Sequence, residues 1–497
     1  MDSNKGNRSF YVLFNNRNIN RLAVCIIIFG VVLRAVFYLQ NRCLFIDEAN
    51  VARNIYERGF TGLAAPLNYE QYAPPLFLWI VKCCTLLFGY SEPAYRLFPF
   101  LCGLGSLWLM YVAVKKYASG SSTWYALAII STGVIYVRYG AELKQYGCDM
   151  AVTLALLLLA LSADVFTMAK WKFLGLWFIA GSVAIWLSMP SVFMLAGVGI
   201  YYLYQCIKAR RYANVLLPAA LGVLWMAQFV LYYFIILKPQ IQSDYLQNCH
   251  KDFFLYALPN SSEKLGQDIN VLNKIISAMG GKWTLSVVFH LLALGIGLVW
   301  LLRKETAKAL LAVIPICLLL FAAMARQYAL TPRLILFVMP LLLIIIAAGL
   351  GAMFQVKSVA VKAIWVAVGL ICIANFGAFS LLYKPMENEE LTKSMAFAQQ
   401  QNIDGDHLYV HNLATPAYIY YTTIHPAKNN WKNLANAHLL QWNTNYDSLS
   451  QVVTGRSALL YSWAPDDEIA SETMKIQQRH KEVAKQVVTG SRVYIYE

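Results

Sequence analysis

The sequence predicts a polytopic α-helical membrane protein that carries a C-terminal α/β domain outside the membrane. Of the 497 residues, 59% are hydrophobic and only 13% are charged, whereas about a quarter of the residues in soluble domains are charged. Apolar runs of about 20 residues, each long enough to cross a bilayer, recur between residues 21 and 383. After residue 384 the chain becomes polar and shows short runs typical of strands.

Eleven apolar runs are predicted to span the membrane. The uncharged stretch 173–207 is too long for one crossing, and Pro190 marks the break because proline disfavours a helical residue before it. The predicted spans are 21–39, 97–114, 122–138, 150–168, 173–188, 190–207, 212–237, 283–302, 309–325, 334–356 and 363–383.

A further apolar run, "PPLFLWIVKCCTLLFG" at 74–89, is short, begins with two prolines and contains Lys82. If it crossed the membrane, every later turn would change sides. Without it, all the short turns on the side of the N-terminus are basic, which is the positive-inside pattern. We therefore predict a membrane-associated or re-entrant helix at 74–89 and an N-terminus inside. The basic turns contain Lys115, Lys116, Lys170, Lys172, Lys208, Arg210, Arg211, Arg303, Lys304, Lys308, Lys357 and Lys362.

This topology divides the chain into three parts. Residues 1–20 form a cytoplasmic tail, 21–384 the transmembrane domain and 385–497 the outer domain, and the main outer loops are 40–96 and 238–282. We predict a multi-pass protein of the cytoplasmic (inner) membrane whose outer parts face the periplasm or exterior. The net charge of +15 belongs to the inner turns, so membrane lipids and not nucleic acid are the expected partners.

Three short runs in the outer domain, "HLYVHN", "SALLYSW" and "RVYIYE", are predicted strands, and 466–487 is a predicted helical stretch. The topology also collects many charged residues on the outer face. A carboxylate beside Arg and Lys at the boundary of hydrocarbon and water suits a substrate with a greasy tail and a phosphate head, because cations bind the phosphate and the carboxylate accepts a proton. Residues collected there include Asp47, Glu48, Glu70, Arg96, Arg138, Glu142, Lys144, Asp149, Lys238, Asp244, His250, Arg326 and Arg333.

Each candidate acidic residue also has an interpretation without a catalytic role. The acids of "LFIDEAN", Asp47 and Glu48, also suit a solvated helix start. In "YGAELKQYGCDM", Glu142 and Asp149 share a face if the segment is helical, or they form an interfacial cap.

Basic residues near the outer ends of spans also have an interpretation without a role in binding a substrate. Arg333 in "ALTPRLILFVMP", like Arg34 in the first span, also suits a side chain that reaches to the interface. His250 and Asp244 are weak candidates for metal ligands. We expect two histidines of the outer domain, His411 and His425, on the surface.

Five segments, taken in order, resemble the GT-C fold membrane glycosyltransferases. They are "IDEAN", "YAPPLFLWIVK", "FGYSEPAYRLFPFLCG", "ELKQYGCDM" and "PRLILFVMPLLL", and the resemblance covers roughly 20–350. The most similar branch contains protein O-mannosyltransferases and lipid A aminoarabinose transferases, and "HLYVHNLATPAYIYY" resembles the start of the outer domain in bacterial members. The resemblance implies an enzyme that transfers a sugar, with inversion, from a polyprenyl-phosphate donor to a hydroxyl of a lipid, glycan or protein acceptor on the outer face.

The resemblance also implies roles for residues. Asp47 would be the catalytic base, Glu48 completes the acidic pair, Asp149 matches a second acidic position, and Glu142 is a further candidate in that motif. The expected phosphate-binding residues are Lys144, Arg333, Arg138 and Arg96.

The same segments leave the donor sugar and the metal open. Where aminoarabinose transferases have a lysine in the first outer loop, this sequence reads "YEQYAPP", so the donor sugar is undetermined. No cofactor is certain: carboxylates of two outer loops could share a divalent metal ion, which is not required if Lys and Arg neutralise the phosphate.

Two other functions use similar residues. A transporter or flippase of lipid-linked sugars would place charges near the bilayer midplane between repeats, but here they gather at the outer interface and no repeat is visible. A polymerase or ligase of lipid-linked glycans would depend on arginines and a histidine more than on an acidic pair. The transferase is the preferred prediction.

Overall fold

A computed structural model of the chain describes residues 16–118, 122–241, 248, 250–356 and 358–497. Most of the predicted N-terminal tail lies outside the described residues. So do Asp244 and Lys357.

Each predicted span overlaps an observed helix, and the predicted fold class is confirmed. Seven of the described helices are long and apolar enough to cross a membrane, so the chain is a multi-pass membrane protein, while the count of eleven spans stays a prediction. The helices of the bundle are Asn16–Leu39, Glu92–Tyr117, Thr123–Thr132, Val134–Tyr139, Tyr146–Ser162, Lys170–Leu187, Ser191–Lys208, Leu216–Tyr232 with its π-helical continuation Tyr233–Leu237, Thr284–Lys304, Thr306–Met324, Met339–Met353 and Val359–Phe376.

The predicted span 122–138 is two helices that break at Gly133. A Cβ atom there would meet the Phe376 ring and the carbonyl oxygen of Ile129. Arg34 lies fully buried beside the break and donates to the carbonyl oxygens of Ile130 (2.7 Å) and Ser131 (2.9 Å). The alternative that Arg34 reaches out to the interface is therefore wrong, because the helix end supplies acceptors inside the bundle.

Met339–Met353 is the central helix of the bundle and is buried on nearly every side. It packs closely on Thr284–Lys304 through Gly349 and Gly297, where an added Cβ would collide with a carbonyl oxygen of the opposite helix. Small residues allow two helix backbones to approach in a membrane, where packing replaces the hydrophobic effect as the source of stability.

The short helix Pro75–Phe88 is linked to the first outer loop. The Lys82 ammonium donates to the carbonyl oxygens of Ile55 (2.6 Å) and Arg58 (2.7 Å), at the end of the helix Ile46–Glu57. A cation at a helix C-terminus binds carbonyls that have no partner within that helix. This contact favours the predicted membrane-associated helix over a further span.

Basic turns and candidate residues lie at opposite ends of the bundle. The Lys308 ammonium donates to the carbonyl oxygen of Lys116, and Tyr117 donates to that of Lys308. Two predicted inner turns therefore meet at one end, while Asp47, Lys144 and Arg333 meet at the other.

The outer domain contains a five-stranded mixed sheet in the order β2-β1-β3-β5-β4. β1 pairs in parallel with β2 and β3, and β5 pairs antiparallel with β3 and β4. The strands are β1 Leu408–Val410, β2 His438–Leu439, β3 Ser457–Ser462, β4 Glu482–Val488 and β5 Ser491–Tyr496. The helices outside the bundle are Ile46–Glu57, Pro75–Phe88, Lys238–Ile241, Ser262–Ser277, Leu391–Gln400, Thr415–Ile419, Tyr446–Val452 and Asp466–Gln477.

The predicted helical stretch 466–487 is wrong in its second half. The helix ends at Gln477, and 482–488 forms the edge strand β4. Gly490 has a positive φ of 67°, which lets the chain turn back tightly into β5. Pairing along this hairpin, with Gln486 opposite Val493, outweighs the helix propensity of the charged residues.

The outer domain docks on the first outer loop through a shared apolar core that includes Leu44, Ala49, Met395 and Ala417. Polar contacts at the same junction join both carboxylate oxygens of Glu92 to the Tyr421 hydroxyl (2.8 Å) and to His425 Nε2 (3.0 Å). Docking therefore covers most of His425, which was expected on the surface, and leaves 18% of its side chain exposed.

Candidate active site

A cavity of about 680 Å³ lies between the outer loops and the outer domain. Its wall contains more basic than acidic side chains, so an anionic ligand is favoured there. The basic residues are Arg53, Lys144, Arg326 and Arg333, and the acidic residues are Asp47 and Glu70.

Asp47 stands in the first turn of the helix Ile46–Glu57 and is bound by two cations. Its Oδ2 atom lies 3.4 Å from Arg333 Nη1 and 3.8 Å from Lys144 Nζ. The Lys144 ammonium is the main cause that holds the pKa of Asp47 below its ordinary value; burial opposes it, and Arg333 adds to it. Asp47 is therefore ionised at neutral pH, and 29% of its side chain stays exposed.

Lys144 and Arg333 reach Asp47 from two different outer loops. Lys144 is buried, and its ammonium also donates to Gln71 Oε1 at 2.8 Å. Burial lowers the pKa of Lys144, although Asp47 acts in the opposite direction. Arg333 is half-buried, with 38% of its side chain exposed. Both cations have N–H groups beyond those used on Asp47, so they can bind a further anion.

Glu48 points away from the cavity. Its carboxylate is bidentate with Arg96, with Nε to Oε1 at 2.8 Å and Nη2 to Oε2 at 2.6 Å, and it accepts the Leu143 N–H at 2.7 Å. Glu48 and Arg96 are both buried. Burial alone would raise the pKa of Glu48, but Arg96 outweighs it and the pKa lies below its ordinary value. This pair joins the first outer loop, the helix Glu92–Tyr117 and the turn before Tyr146.

The segment 140–145 between the helices Val134–Tyr139 and Tyr146–Ser162 is not helical. The prediction that Glu142 and Asp149 share a helical face is therefore wrong. Glu142 is fully buried, lies 3.3 Å from Arg138 and accepts from Asn388 at 3.2 Å; burial raises its pKa.

Asp149 lies in the first turn of Tyr146–Ser162 and is buried near Tyr72 and Tyr328. Its Oδ1 atom has no hydrogen-bond partner among the described residues. Among the eight predicted site residues, Asp47, Lys144 and Arg333 line the cavity, whereas Glu48, Glu142, Asp149, Arg96 and Arg138 do not.

Three of the four predicted acidic residues are paired with cations. Asp47 contacts Lys144 and Arg333, Glu48 contacts Arg96, and Glu142 contacts Arg138. These three carboxylates therefore already have cationic partners, and a metal ion shared by carboxylates of two outer loops stays a prediction.

Several residues of the cavity wall are absent from the sequence prediction. Asn50 and Arg53 follow Asp47 at intervals of three on one helix, and this spacing could have found them. Arg53 stacks on the Tyr69 ring at 3.9 Å. Asn412 and Trp442 reach the wall from the outer domain, and only the docking of that domain brings them there.

Residues 72–233 match the family model described as dolichyl-phosphate-mannose-protein mannosyltransferase. The match contains Lys144 and Asp149 but neither Asp47 nor Arg333. No curated protein matches the sequence significantly.

Solved structures match almost the whole chain. The crystal structure of ArnT from Cupriavidus metallidurans bound to undecaprenyl phosphate superposes with a TM-score of 0.52 and 16% identity, over 95% of this chain and 97% of that one. The chain has the GT-C fold. The apo structure of the same ArnT matches with a TM-score of 0.50 and 15% identity, over 95% and 98% of the two chains. Together with the family match, these likenesses confirm the resemblance predicted from the five segments.

Proposed function

We propose that this GT-C protein is an inverting glycosyltransferase of the cytoplasmic membrane. It would move a sugar from a polyprenyl-phosphate carrier to an acceptor hydroxyl on the outer face. The observation that carries the proposal is the placement of the Asp47 carboxylate between Lys144 and Arg333 on the wall of a large cavity. This reaction needs a base that accepts the proton of the hydroxyl and cations that bind the phosphate.

Lys144 and Arg333 act on the lipid phosphate. Their remaining N–H groups donate to the phosphate oxygens of the donor, and they neutralise charge that grows as the phosphate leaves. Because Lys144 is the main group that lowers the pKa of Asp47, a phosphate that neutralises this ammonium raises that pKa. Donor binding therefore makes Asp47 a stronger base where one is needed.

Asp47 acts on the acceptor. It takes the proton of the attacking hydroxyl while the acceptor oxygen bonds to the anomeric carbon and the bond from that carbon to the phosphate oxygen breaks. The products are the glycosylated acceptor and free polyprenyl phosphate, with inversion because the displacement occurs once. Glu48, Arg96, Glu142 and Arg138 position the outer loops and do not touch the substrate. The acceptor, a lipid, glycan or protein, enters beside the outer domain.

The test measures polyprenyl phosphate released from a polyprenyl-monophosphate sugar by purified protein in the presence of membrane extract. Asp47→Asn is expected to lower the rate by about 10²–10⁴-fold, the usual contribution of a general base. The control is Asp406→Asn, an exposed acid of the outer domain, which keeps the rate. Full activity of Asp47→Asn would refute the role of Asp47 as base. A protein that moves the lipid across vesicles without releasing polyprenyl phosphate would be a flippase, which would refute the transferase.

A further inference from the structure

A second cluster of polar side chains lies inside the outer domain, apart from the Asp47 cavity. His411 Nε2 lies 3.8 Å from Glu468 Oε1 and 4.0 Å from Glu472 Oε2. All three ligand atoms lie within 4.8 Å of one another. Ligand atoms about 2.1 Å from a tetrahedral ion are about 3.4 Å apart, so small side-chain movements would bring these three onto one ion.

The fold brings these residues together from two elements. His411 directly follows β1, while Glu468 and Glu472 lie four residues apart on the helix Asp466–Gln477, which follows β3. β1 and β3 are parallel neighbours, so their carboxyl ends meet at one edge of the sheet. Residues spaced by four share a helix face, and this face is turned toward His411.

The expectation that His411 lies on the surface is wrong, since only 3% of the residue is exposed. Its Nδ1 accepts from the Leu413 N–H at 3.3 Å, and no hydrogen bond to Nε2 is found within the described ranges. Oε2 of Glu472 is likewise buried; the Tyr446 and Tyr461 hydroxyls lie near this carboxylate, but Oε2 has no hydrogen bond of ordinary geometry among those residues. Buried polar atoms are nearly always bonded, and two carboxylates beside an imidazole leave lone pairs that a cation would satisfy.

Metal binding by the imidazole would change the tautomer of the ring. Because Nδ1 accepts from the Leu413 N–H, the ring proton lies on Nε2 in the metal-free protein; metal binding through Nε2 moves it to Nδ1 and ends this hydrogen bond. That N–H also donates to Asn412 Oδ1 at 2.7 Å and so keeps an acceptor.

We propose that His411, Glu468 and Glu472 bind one divalent transition-metal ion, with zinc as the best fit. One imidazole and two carboxylates form a donor set that suits zinc, whereas calcium and magnesium prefer oxygen ligands alone. Asn412 and Leu413, next to His411, line the Asp47 cavity. The ion would therefore join the helix Asp466–Gln477 to the loop that forms one wall of the cavity.

The test uses the full-length protein in detergent, stripped with EDTA, loaded with zinc chloride and desalted. Elemental analysis is expected to find about one zinc per chain in the wild type, and zinc should raise its Tm by a few °C. His411→Ala and Glu472→Gln should each lose most of the bound zinc and the Tm shift. The control His407→Ala changes an exposed histidine of the same domain and should keep both.

The stripped variants should unfold within a few °C of the stripped wild type, and Glu472→Gln, which keeps the size of the side chain, serves if His411→Ala does not fold. Equal zinc content in wild type and variants would place the ion elsewhere and overturn the proposal. Absence of retained zinc in the wild type, or retention of calcium in its place, would overturn it as well. Metal content is measured without a transferase assay, so this result does not depend on the proposed function.

Discussion

At the scale of single residues, the two adjacent acids of "LFIDEAN" have different environments. Consecutive residues on a helix point about 100° apart, so Asp47 and Glu48 cannot face the same surroundings. Asp47 meets Lys144 and Arg333 at the cavity, whereas Glu48 meets Arg96 in the interior. The charge pattern alone gives both acids equal weight, and only the orientation of the helix separates a candidate base from a positioning residue.

The two cations beside Asp47 yield a prediction about donor binding. Lys144→Gln and Arg333→Gln each remove charge-assisted hydrogen bonds to the phosphate, and each should lower kcat/KM for the polyprenyl-phosphate donor by about 10–100-fold. Initial rates over a range of donor concentrations measure this effect. Arg456→Gln changes an exposed arginine of the outer domain and should leave the rates unchanged. Unaltered kcat/KM in both cavity variants would contradict the proposed phosphate site.

The buried carboxyl of Glu389 leads us to expect that the stability of the protein depends on pH. Burial raises the pKa of its carboxyl from 4.5 to about 8. Between these two values the folded state binds more protons than the unfolded state. The free energy of unfolding therefore falls as pH rises through this window, and it levels off above pH 8.

Glu389→Gln is neutral at every pH and should remove this decline, which thermal unfolding between about pH 5 and pH 8.5 would measure. Partial burial would raise the pKa of the neighbouring Glu390, but the Lys393 ammonium and the Thr489 N–H outweigh it and hold the pKa below its ordinary value. The contribution of Glu390 to stability therefore changes only in more acidic solution. Glu390→Gln should therefore keep the wild-type decline. The same slope in Glu389→Gln and wild type would contradict the assignment.

At the scale of elements, the buried Glu48–Arg96 pair fixes the helix Ile46–Glu57 to its neighbours. Arg96 also donates to the carbonyl oxygen of Arg42 at 2.7 Å, and Glu48 accepts the N–H of Leu143. The pair therefore fixes the positions of both the loop that carries Asp47 and the turn that carries Lys144. Neither residue of the pair lines the cavity, but the pair holds in place the segments that form it.

Glu48→Gln is expected to destabilise the protein by about 3–5 kcal/mol, because it leaves the buried Arg96 guanidinium without its counter-charge. Thermal unfolding in detergent measures the change. Glu305→Gln removes an acid from an exposed pair with Lys308 and should change stability by less than about 1 kcal/mol. If the two variants lost the same stability, Glu48 would not have this structural role.

At the scale of the whole molecule, the separation of the two charged ends predicts an orientation. Ser448 is exposed in the outer domain, and Lys170 is exposed in a predicted inner turn. In intact cells, a membrane-impermeant maleimide should label Ser448→Cys and leave Lys170→Cys unlabelled until the membrane is opened. The background variant has the exposed Cys25, Cys83 and Cys317, and Cys249 of the predicted outer loop, replaced by serine. Labelling of Lys170→Cys alone would reverse the topology and place the cavity on the cytoplasmic side.

Much of this architecture follows from local chemistry. Apolar runs predict spans because a helix in lipid needs a set length of apolar side chains, and Pro190 predicts the break between Lys170–Leu187 and Ser191–Lys208. The helical prediction for 466–487 fails in its second half because the hairpin partner of β4 lies outside that window. Strand pairing depends on neighbours that a local pattern does not contain.

The sequence by itself determined the membrane fold, the resemblance to GT-C glycosyltransferases and the collection of Asp47, Lys144 and Arg333 on one side. These depend on hydrophobic length, loop charge and motif order. Only the tertiary structure decided that Glu48 is buried against Arg96, that Asn412 and Trp442 reach the cavity, and that His411 meets Glu468 and Glu472. Such contacts join residues far apart in the chain, and the packing of elements determines which of them form.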